Sequence, residues 1–122
     1  MTRRRVVITG LGIVSPVGNT VEEAWQNILA GSSGIAHVTK FDASTFPAQI
    51  AGEVKYFDIT DYISAKDARR MDTFIHFGMA AGIQAVRDAG LDKENAADLE
   101  RVGVAIGSGI GGLPLIEETK EE

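Results

Sequence analysis

Residues 101–112 read Arg-Val-Gly-Val-Ala-Ile-Gly-Ser-Gly-Ile-Gly-Gly, an apolar run that ends in four glycines among six residues. Val102, Val104 and Ile106 alternate with small residues, a pattern that predicts a strand buried between two layers. The glycines after it predict a turn whose backbone comes very close to another part of the molecule. A proline and two acids within residues 113–118 then predict the start of a helix. A strand, a glycine-rich turn and a helix in this order are typical of a ligand-facing corner in an α/β protein.

The composition is that of an ordinary globular protein and excludes several function classes. The chain has 122 residues, 44% of them hydrophobic and 24% charged, which predicts at most one domain. A net charge of -5 argues against a general nucleic-acid binder. The absence of cysteine excludes a disulfide framework, a thiolate metal site and a cysteine nucleophile within this chain.

No targeting or membrane-spanning segment is evident in the sequence. The apolar run after Arg5 is broken by Gly10, Gly12 and Pro16, and no signal-peptide cleavage site follows it. No other apolar run approaches the ~20 residues that a transmembrane helix needs. We therefore expect a cytoplasmic protein that does not associate with a membrane.

Two strong helix signals lie in the first two thirds of the chain. Thr20 and Glu23 form a capping-box pattern that predicts a helix ending at Gly31, in which Trp25 would anchor core packing. Ser64 caps a longer helical pattern that runs to Ala89, with a bend at residues 71–73. Strands are predicted over residues 4–9 and 49–54, and an irregular surface segment over residues 31–47.

The second half of the long helical pattern is apolar nearly all round. Such a helix is usually buried on several sides, which needs more layers than 122 residues supply. The acidic residues 117, 118, 121 and 122 suit the beginning of a helix rather than its end. We therefore expect this chain to be a part of a larger fold.

A first candidate site is Gly10-Leu-Gly12 after the predicted first strand, which partly resembles a dinucleotide-binding fingerprint. Ser15 stands where the third glycine is needed, and no acidic residue closes a second strand at the ~20-residue offset. A tight turn packed against neighbouring strands is the other interpretation. No P-loop is present, because no Gly-Lys-Ser/Thr follows residues 107–112.

A second candidate is a cluster of three cations, Lys66, Arg69 and Arg70, whose i, i+3, i+4 spacing places them on one helix face. They form either a solvated face partly neutralised by Asp67 or a docking patch for an acidic partner. The two histidines, His37 and His76, have no partners at a spacing that indicates catalysis or metal binding.

Together these residues resemble the N-terminal part of the type II class of β-ketoacyl-acyl carrier protein synthases, within the thiolase-like condensing enzymes. The motifs occur in order over the whole chain. Ile110 in Gly-Ser-Gly-Ile-Gly-Gly is similar to the type II class, since the type I class tends to carry a further glycine there. The matching segments are residues 4–18, Ala24-Trp25, residues 29–31, 33–35, Phe41-Asp42, Ala51-Gly52, Ile63-Ser64, and residues 69–72, 88–91 and 107–112.

The resemblance implies a homodimeric acyltransferase with a five-layered αβαβα thiolase-like fold and no cofactor or metal. A cysteine would be acylated by an acyl-carrier-protein thioester, and two histidines would assist the decarboxylation of malonyl-carrier-protein in fatty-acid elongation. By the same resemblance Ile110 would line and gate the acyl pocket. Lys66, Arg69 and Arg70 would receive the acidic acyl carrier protein.

The catalytic cysteine and the two catalytic histidines of the family would lie beyond residue 122, and neither His37 nor His76 matches them. Residues 1–122 are thus expected to be the N-terminal part of a ketosynthase domain and inactive alone. Three alternatives remain: a non-catalytic partner such as a chain-length factor of a polyketide system, a nucleotide-binding oxidoreductase domain, and a plain interaction module.

Overall fold

The computed structural model describes residues 3–92 and 98–121, which belong to two compact units. One unit comprises residues 13–58, and the other combines the residues before 13 with those after 58. Two 3-10 turns, Ile59–Asp61 and Leu99–Arg101, occur in the second unit. The helices and strands of the described residues are α1 (Val21–Leu29), β1 (Ile35–His37), β2 (Ile50–Gly52), α2 (Ala65–Ala68), α3 (Thr73–Asp88) and α4 (Leu113–Glu121).

Helix α1 confirms the predicted capping signal. The hydroxyl of Thr20 accepts a hydrogen bond from the Glu23 amide at 3.2 Å, while the Glu23 carboxylate accepts from the Asn19 amide at 2.8 Å. Gly31 ends the helix with a φ of 70°, a conformation that favours glycine. The core role predicted for Trp25 is wrong for the described residues. Trp25 is 56% exposed, whereas Ala24 is the residue of α1 that is buried.

A pair of short antiparallel strands, β1 and β2, belongs to the same unit as α1. Ile35 in β1 pairs with Gly52 in β2, and His37 pairs with Ile50. The strand predicted within residues 49–54 is therefore confirmed in a shorter form, whereas residues 35–37 are a strand and not irregular. Strand β1 was missed because its three residues lie between turn residues and are too few to show alternation.

A cluster of hydrogen bonds on Glu53 continues the strand pair beyond its paired residues. Its carboxylate accepts from the amide of Thr39 at 3.1 Å, from the hydroxyl of Thr39 at 2.7 Å and from the amide of Lys40 at 3.4 Å. The bond from the Thr39 hydroxyl is the largest cause that lowers the pKa of Glu53 below its ordinary value, followed by the bond from the Thr39 amide.

The long helical pattern of residues 64–89 is divided between α2 and α3. Asp72 has an extended backbone conformation and caps α3 through a bond that its Oδ1 accepts from Thr73. The predicted bend at residues 71–73 is confirmed, but it separates two helices rather than bending one. Gly90, with a φ of 68°, ends α3 at the predicted position. Ala80 of α3 is fully buried.

The strands predicted over residues 4–9 and 102–106 are wrong for the described part of the chain. Neither segment forms strand hydrogen bonds there, and Val6 and Val104 are 94% and 82% exposed. A strand needs a neighbour to which its amide and carbonyl groups can bond, and within residues 3–92 and 98–121 no segment lies beside these two in a sheet. The helix predicted after Gly112 is confirmed as α4.

Candidate functional site

The three candidate docking cations lie on and directly after α2, the shortest helix described. Ser64 caps this helix, accepting a hydrogen bond from the Asp67 amide at 3.1 Å. Lys66 belongs to the helix, Arg69 is its C-cap and Arg70 follows in the next turn. The prediction that all three occupy one face of a long helix is thus wrong, because α2 ends at Ala68. They remain close together along the chain, on α2 and the turn that follows it.

The surroundings of the cations are compatible with both the docking and the solvated-face interpretation, and the docking role stays a prediction. All three side chains are exposed, and none forms an ion pair with a carboxylate of residues 3–92 or 98–121. Asp67, the expected neutralising group, directs its carboxylate to the Ser64 hydroxyl, which donates to Asp67 Oδ2 at 2.6 Å. The positive charge of the three side chains is therefore not neutralised by a carboxylate of residues 3–92 or 98–121.

Arg69 and Arg70 also border a shallow cleft of about 260 Å³ between the start of α3 and helix α4. Its other lining residues include Asp72, Pro114 and Glu118. Helix α4 thus brings a carboxylate near the two arginines without pairing with them.

A more apolar hollow of about 340 Å³ lies where residues 106–108 pass over the first turns of α3. Phe74, Ile75, Gly78 and Met79 supply its α3 side. A Cβ built on Gly78 would lie 3.8 Å from the Ile106 side chain, so this glycine admits Ile106 at ordinary contact distance.

Ile110 lies on a turn beyond this hollow and is not among the residues that line it. Its side chain is 75% exposed. The turn is held by a hydrogen bond of 3.1 Å from the Gly111 amide to the Ser108 hydroxyl, and Gly111 has a φ of 78°. The side chain of Ile110 is therefore presented on an ordered turn, and its role as a gate stays a prediction.

The predicted close approach of the glycine-rich turn is confirmed at its end only. A Cβ on Gly112 would overlap the Asp72 carboxylate, whereas Cβ atoms on Gly107 and Gly109 would have nothing within 4 Å among the described residues. Asp72 therefore has two roles, as the cap of α3 and as the group against which the start of α4 packs.

The glycines of the dinucleotide-like motif pack against a helix. A Cβ on Gly10 would lie 2.8 Å from Ala89 Cβ, and one on Gly12 would lie 2.9 Å from the Ala85 nitrogen. Between them the Leu11 amide donates to Asp88 Oδ2 at 2.9 Å, so a carboxylate already occupies a donor that a phosphate would use. The packing interpretation is supported, with α3 in place of the neighbouring strands that we expected.

The two histidines are not part of a recognisable catalytic cluster. His37 is exposed in β1, and His76 is half-buried in α3, where its Nε2 lies 2.9 Å from the Ala68 carbonyl oxygen. Among the described residues no three His, Asp or Glu side chains are grouped as a metal site would require. Likewise, none of the helices described is long and apolar enough to cross a membrane.

Comparison with known proteins places this arrangement in a family. The model of the β-ketoacyl synthase N-terminal domain matches residues 3–122. The chain belongs to the β-ketoacyl synthase family. A β-ketoacyl synthase of this kind is described as 3-oxoacyl-[acyl-carrier-protein] synthase 2 in Vibrio harveyi, 61% identical over 119 residues that make up 96% of this chain and 28% of that protein. The proteins of the same description from Vibrio cholerae and Synechocystis are 60% and 45% identical, and the chain again spans 28% of each.

A solved structure supports the fold expected of a β-ketoacyl synthase. The ishigamide ketosynthase/chain length factor matches with a TM-score of 0.63 and 37% identity, covering 73% of this chain and 22% of that one. The described residues are therefore part of a thiolase-like fold, as the sequence motifs implied. Because the chain spans little more than a quarter of its curated relatives, most of their length has no counterpart among the residues described.

Proposed function

We propose that residues 1–122 are the N-terminal part of a ketosynthase domain that catalyses decarboxylative condensation in fatty-acid elongation. The 61% identity with a 3-oxoacyl-[acyl-carrier-protein] synthase 2 over 96% of the chain carries this proposal. The acyl donor is an acyl-carrier-protein thioester and the extender is malonyl-carrier-protein. In this proposal the full-length protein is a cytoplasmic homodimer, and its nucleophilic cysteine and two histidines lie beyond residue 122.

The proposed reaction has two covalent stages. The cysteine thiolate attacks the acyl thioester, forming an enzyme thioester as the bond to the carrier-protein sulfur breaks and that sulfur leaves as a thiolate. Malonyl-carrier-protein then loses carbon dioxide, and the resulting carbanion forms a carbon–carbon bond to the acyl carbonyl as the carbon–sulfur bond to cysteine breaks. Preorganised hydrogen-bond donors stabilise the oxyanions of both stages. The described residues contribute to binding in this scheme, while the bond-making groups lie outside them.

The carrier protein is proposed to dock on Lys66, Arg69 and Arg70. Their exposure, their proximity on α2 and the turn after it, and their lack of ion pairs among the described residues support this assignment. Exposed charges of this kind raise the association rate with an oppositely charged partner and orient the encounter. Ile110 is proposed to gate the acyl pocket, and this proposal is supported by the motif resemblance alone, since Ile110 does not line the apolar hollow.

Single charge reversals in the full-length protein test the docking assignment. We expect Lys66→Glu, Arg69→Glu and Arg70→Glu each to raise the KM for acyl-carrier-protein about fivefold at low salt, since an exposed charge pair contributes up to about 1 kcal/mol. The effect should shrink as salt rises, and the KM for a carrier-free acyl thioester should not change. Lys55→Glu, an equal change of charge at another exposed lysine, is the control. If the KM for acyl-carrier-protein stays unchanged in all three variants, the cations form a solvated face.

A chain-length factor is the second candidate, because the matching solved structure pairs a ketosynthase with such a protein. The two candidates differ at the nucleophile position, which the described residues do not contain. Incubating the full-length protein with an acyl-carrier-protein thioester and measuring its intact mass distinguishes them. A mass gain of one acyl group, lost after iodoacetamide treatment of the free enzyme, identifies the ketosynthase. No mass gain identifies the non-catalytic partner.

A further inference from the structure

One hydrogen bond joins the short helix of the docking site to the long helix behind it. His76, in the first turns of α3, places Nε2 2.9 Å from the carbonyl oxygen of Ala68, the last residue of α2. Because a carbonyl oxygen only accepts hydrogen bonds, Nε2 is the protonated ring nitrogen in this contact. The ring is half-buried and Ala68 is buried, so the bond is partly shielded from water.

Helix α2 has little means of holding its own C-terminal end. It spans four residues, and the bond from the Arg69 amide to the Ala65 carbonyl is already long at 3.3 Å. Helices this short are not stable without tertiary contacts, and their last carbonyls need partners from outside the helix. The Ala68 carbonyl receives two, the Met71 amide at 3.1 Å and the His76 ring.

The position of this carbonyl connects it to the cations. The carbonyl of Ala68 and the amide of Arg69 belong to one planar peptide group. A hydrogen bond that fixes the oxygen of this group therefore also fixes the direction in which the backbone enters Arg69. Arg70 follows directly, and its amide donates a hydrogen bond of 3.0 Å to the carbonyl oxygen of Asp67. The orientation of both arginines therefore depends on the group that His76 holds.

We propose that His76 is a positioning residue for carrier-protein docking, acting through the Ala68–Arg69 peptide. This inference rests on the proposed docking function of Arg69 and Arg70. Without the ring, the two cations sample more orientations, and the carrier protein must order them when it binds. The loss falls on recognition of the carrier protein and leaves the chemistry of the acyl group unchanged.

The test compares three variants of the full-length protein. His76→Ala removes the donor, His76→Leu removes it while filling the space, and His76→Gln keeps an N–H at a similar reach. We expect the alanine and leucine variants to raise the KM for acyl-carrier-protein about fivefold, the typical effect of one hydrogen bond, with kcat and the KM for a carrier-free acyl thioester unchanged. The glutamine variant should restore the KM for acyl-carrier-protein to within about twofold of the unsubstituted value.

Asn27→Ala is the matched control, because Asn27 also donates from its side chain to a backbone carbonyl, that of Val17 at 2.7 Å, but far along the chain from the cations. It should leave the KM for acyl-carrier-protein unchanged. If His76→Leu and His76→Gln behave alike, or if both substrates are affected equally, the positioning role is overturned. If the reversals at Arg69 and Arg70 raise that KM while His76→Leu does not, docking stands and only the role of His76 fails. If none of them changes the KM, the docking assignment itself fails.

Discussion

Replacing Gly12 by alanine tests the packing between the N-terminal segment and α3 in the full-length protein. The added Cβ would lie 2.9 Å from both the Ala81 carbonyl carbon and the Ala85 nitrogen, and nearer still to the Ala81 oxygen. Real Cβ atoms essentially never show contacts under 3.0 Å, and these partners are backbone atoms of a helix that no side-chain rotation can move away. The segment and the helix must therefore separate, which breaks contacts on both sides of the glycine.

Overpacking of this kind costs typically 1–3 kcal/mol, and the lack of a flexible partner places Gly12→Ala near about 3 kcal/mol. The smaller entropy of the unfolded alanine chain offsets about 0.4–1 kcal/mol of that cost. We thus expect the free energy of unfolding to fall by about 2–3 kcal/mol, measured by urea titration with an unchanged dependence on urea concentration.

Gly90→Ala, directly after the C-terminal end of α3, is the matched control. A Cβ there meets nothing within 4 Å among the described residues, so its cost is confined to a φ of 68° in a non-glycine residue, about 1 kcal/mol. A Gly12→Ala variant no less stable than Gly90→Ala would refute the close packing of Gly12 on α3.

Three further outcomes follow from the described contacts. Thr20→Ala should lower the free energy of unfolding by about 1 kcal/mol in a urea titration, whereas Thr20→Ser, which keeps the capping oxygen, should not. Because hydrogen bonds lower the pKa of Glu53, the stability they contribute is present above pH 4.5, its ordinary value, and is lost as pH falls through the lower folded-state pKa. Thr39→Val should raise that pKa toward 4.5 in a carboxyl NMR titration, and an unchanged value would contradict the role of the hydroxyl. Ile110→Phe should reduce kcat/KM for long acyl primers about tenfold more than for short ones, and equal losses would contradict the gate.

The helices were predictable because their signals are local. Thr20, Ser64 and the glycines at 31 and 90 act within a few residues of themselves, and each ends or begins a helix at the predicted place. The division between α2 and α3 was predictable only as a bend. The sequence does not distinguish Asp72 as a helix cap from an acidic residue within a helix, and the structure shows the cap.

The strands were not predictable in the same way. Residues 4–9 and 102–106 have the β-branched composition of buried strands, yet pairing depends on a neighbour that composition does not supply. Trp25 shows the same limit for packing, since its size predicts burial but the described residues provide no surface that covers it.

The sequence predicted which residues belong to the candidate site, but it did not predict how they are placed relative to the helices. Spacing brought Lys66, Arg69 and Arg70 together, and they are neighbours, although no single helix carries them. The contact of His76 with Ala68 had no signal in the sequence, because it bridges eight residues across the break between two helices. Motif resemblance alone pointed to Ile110.

The exposed valines and isoleucines of residues 4–9 and 102–106 bear on how the protein is made. Synthesis proceeds at about 5–20 residues per second, so a strand near the N-terminus waits at least several seconds, and in a chain the length of the relatives about a minute, for partners encoded later. During that interval both segments present unpaired, strand-prone backbone, which is the usual template for aggregation. Gly10 and Gly12 can pack on α3 as soon as residue 89 has emerged, and this contact would fix the adjoining residues 4–9 early. We expect nascent chains stalled near residue 122 to be strong chaperone substrates. Residues 4–9 should become protected from chaperone binding before residues 102–106.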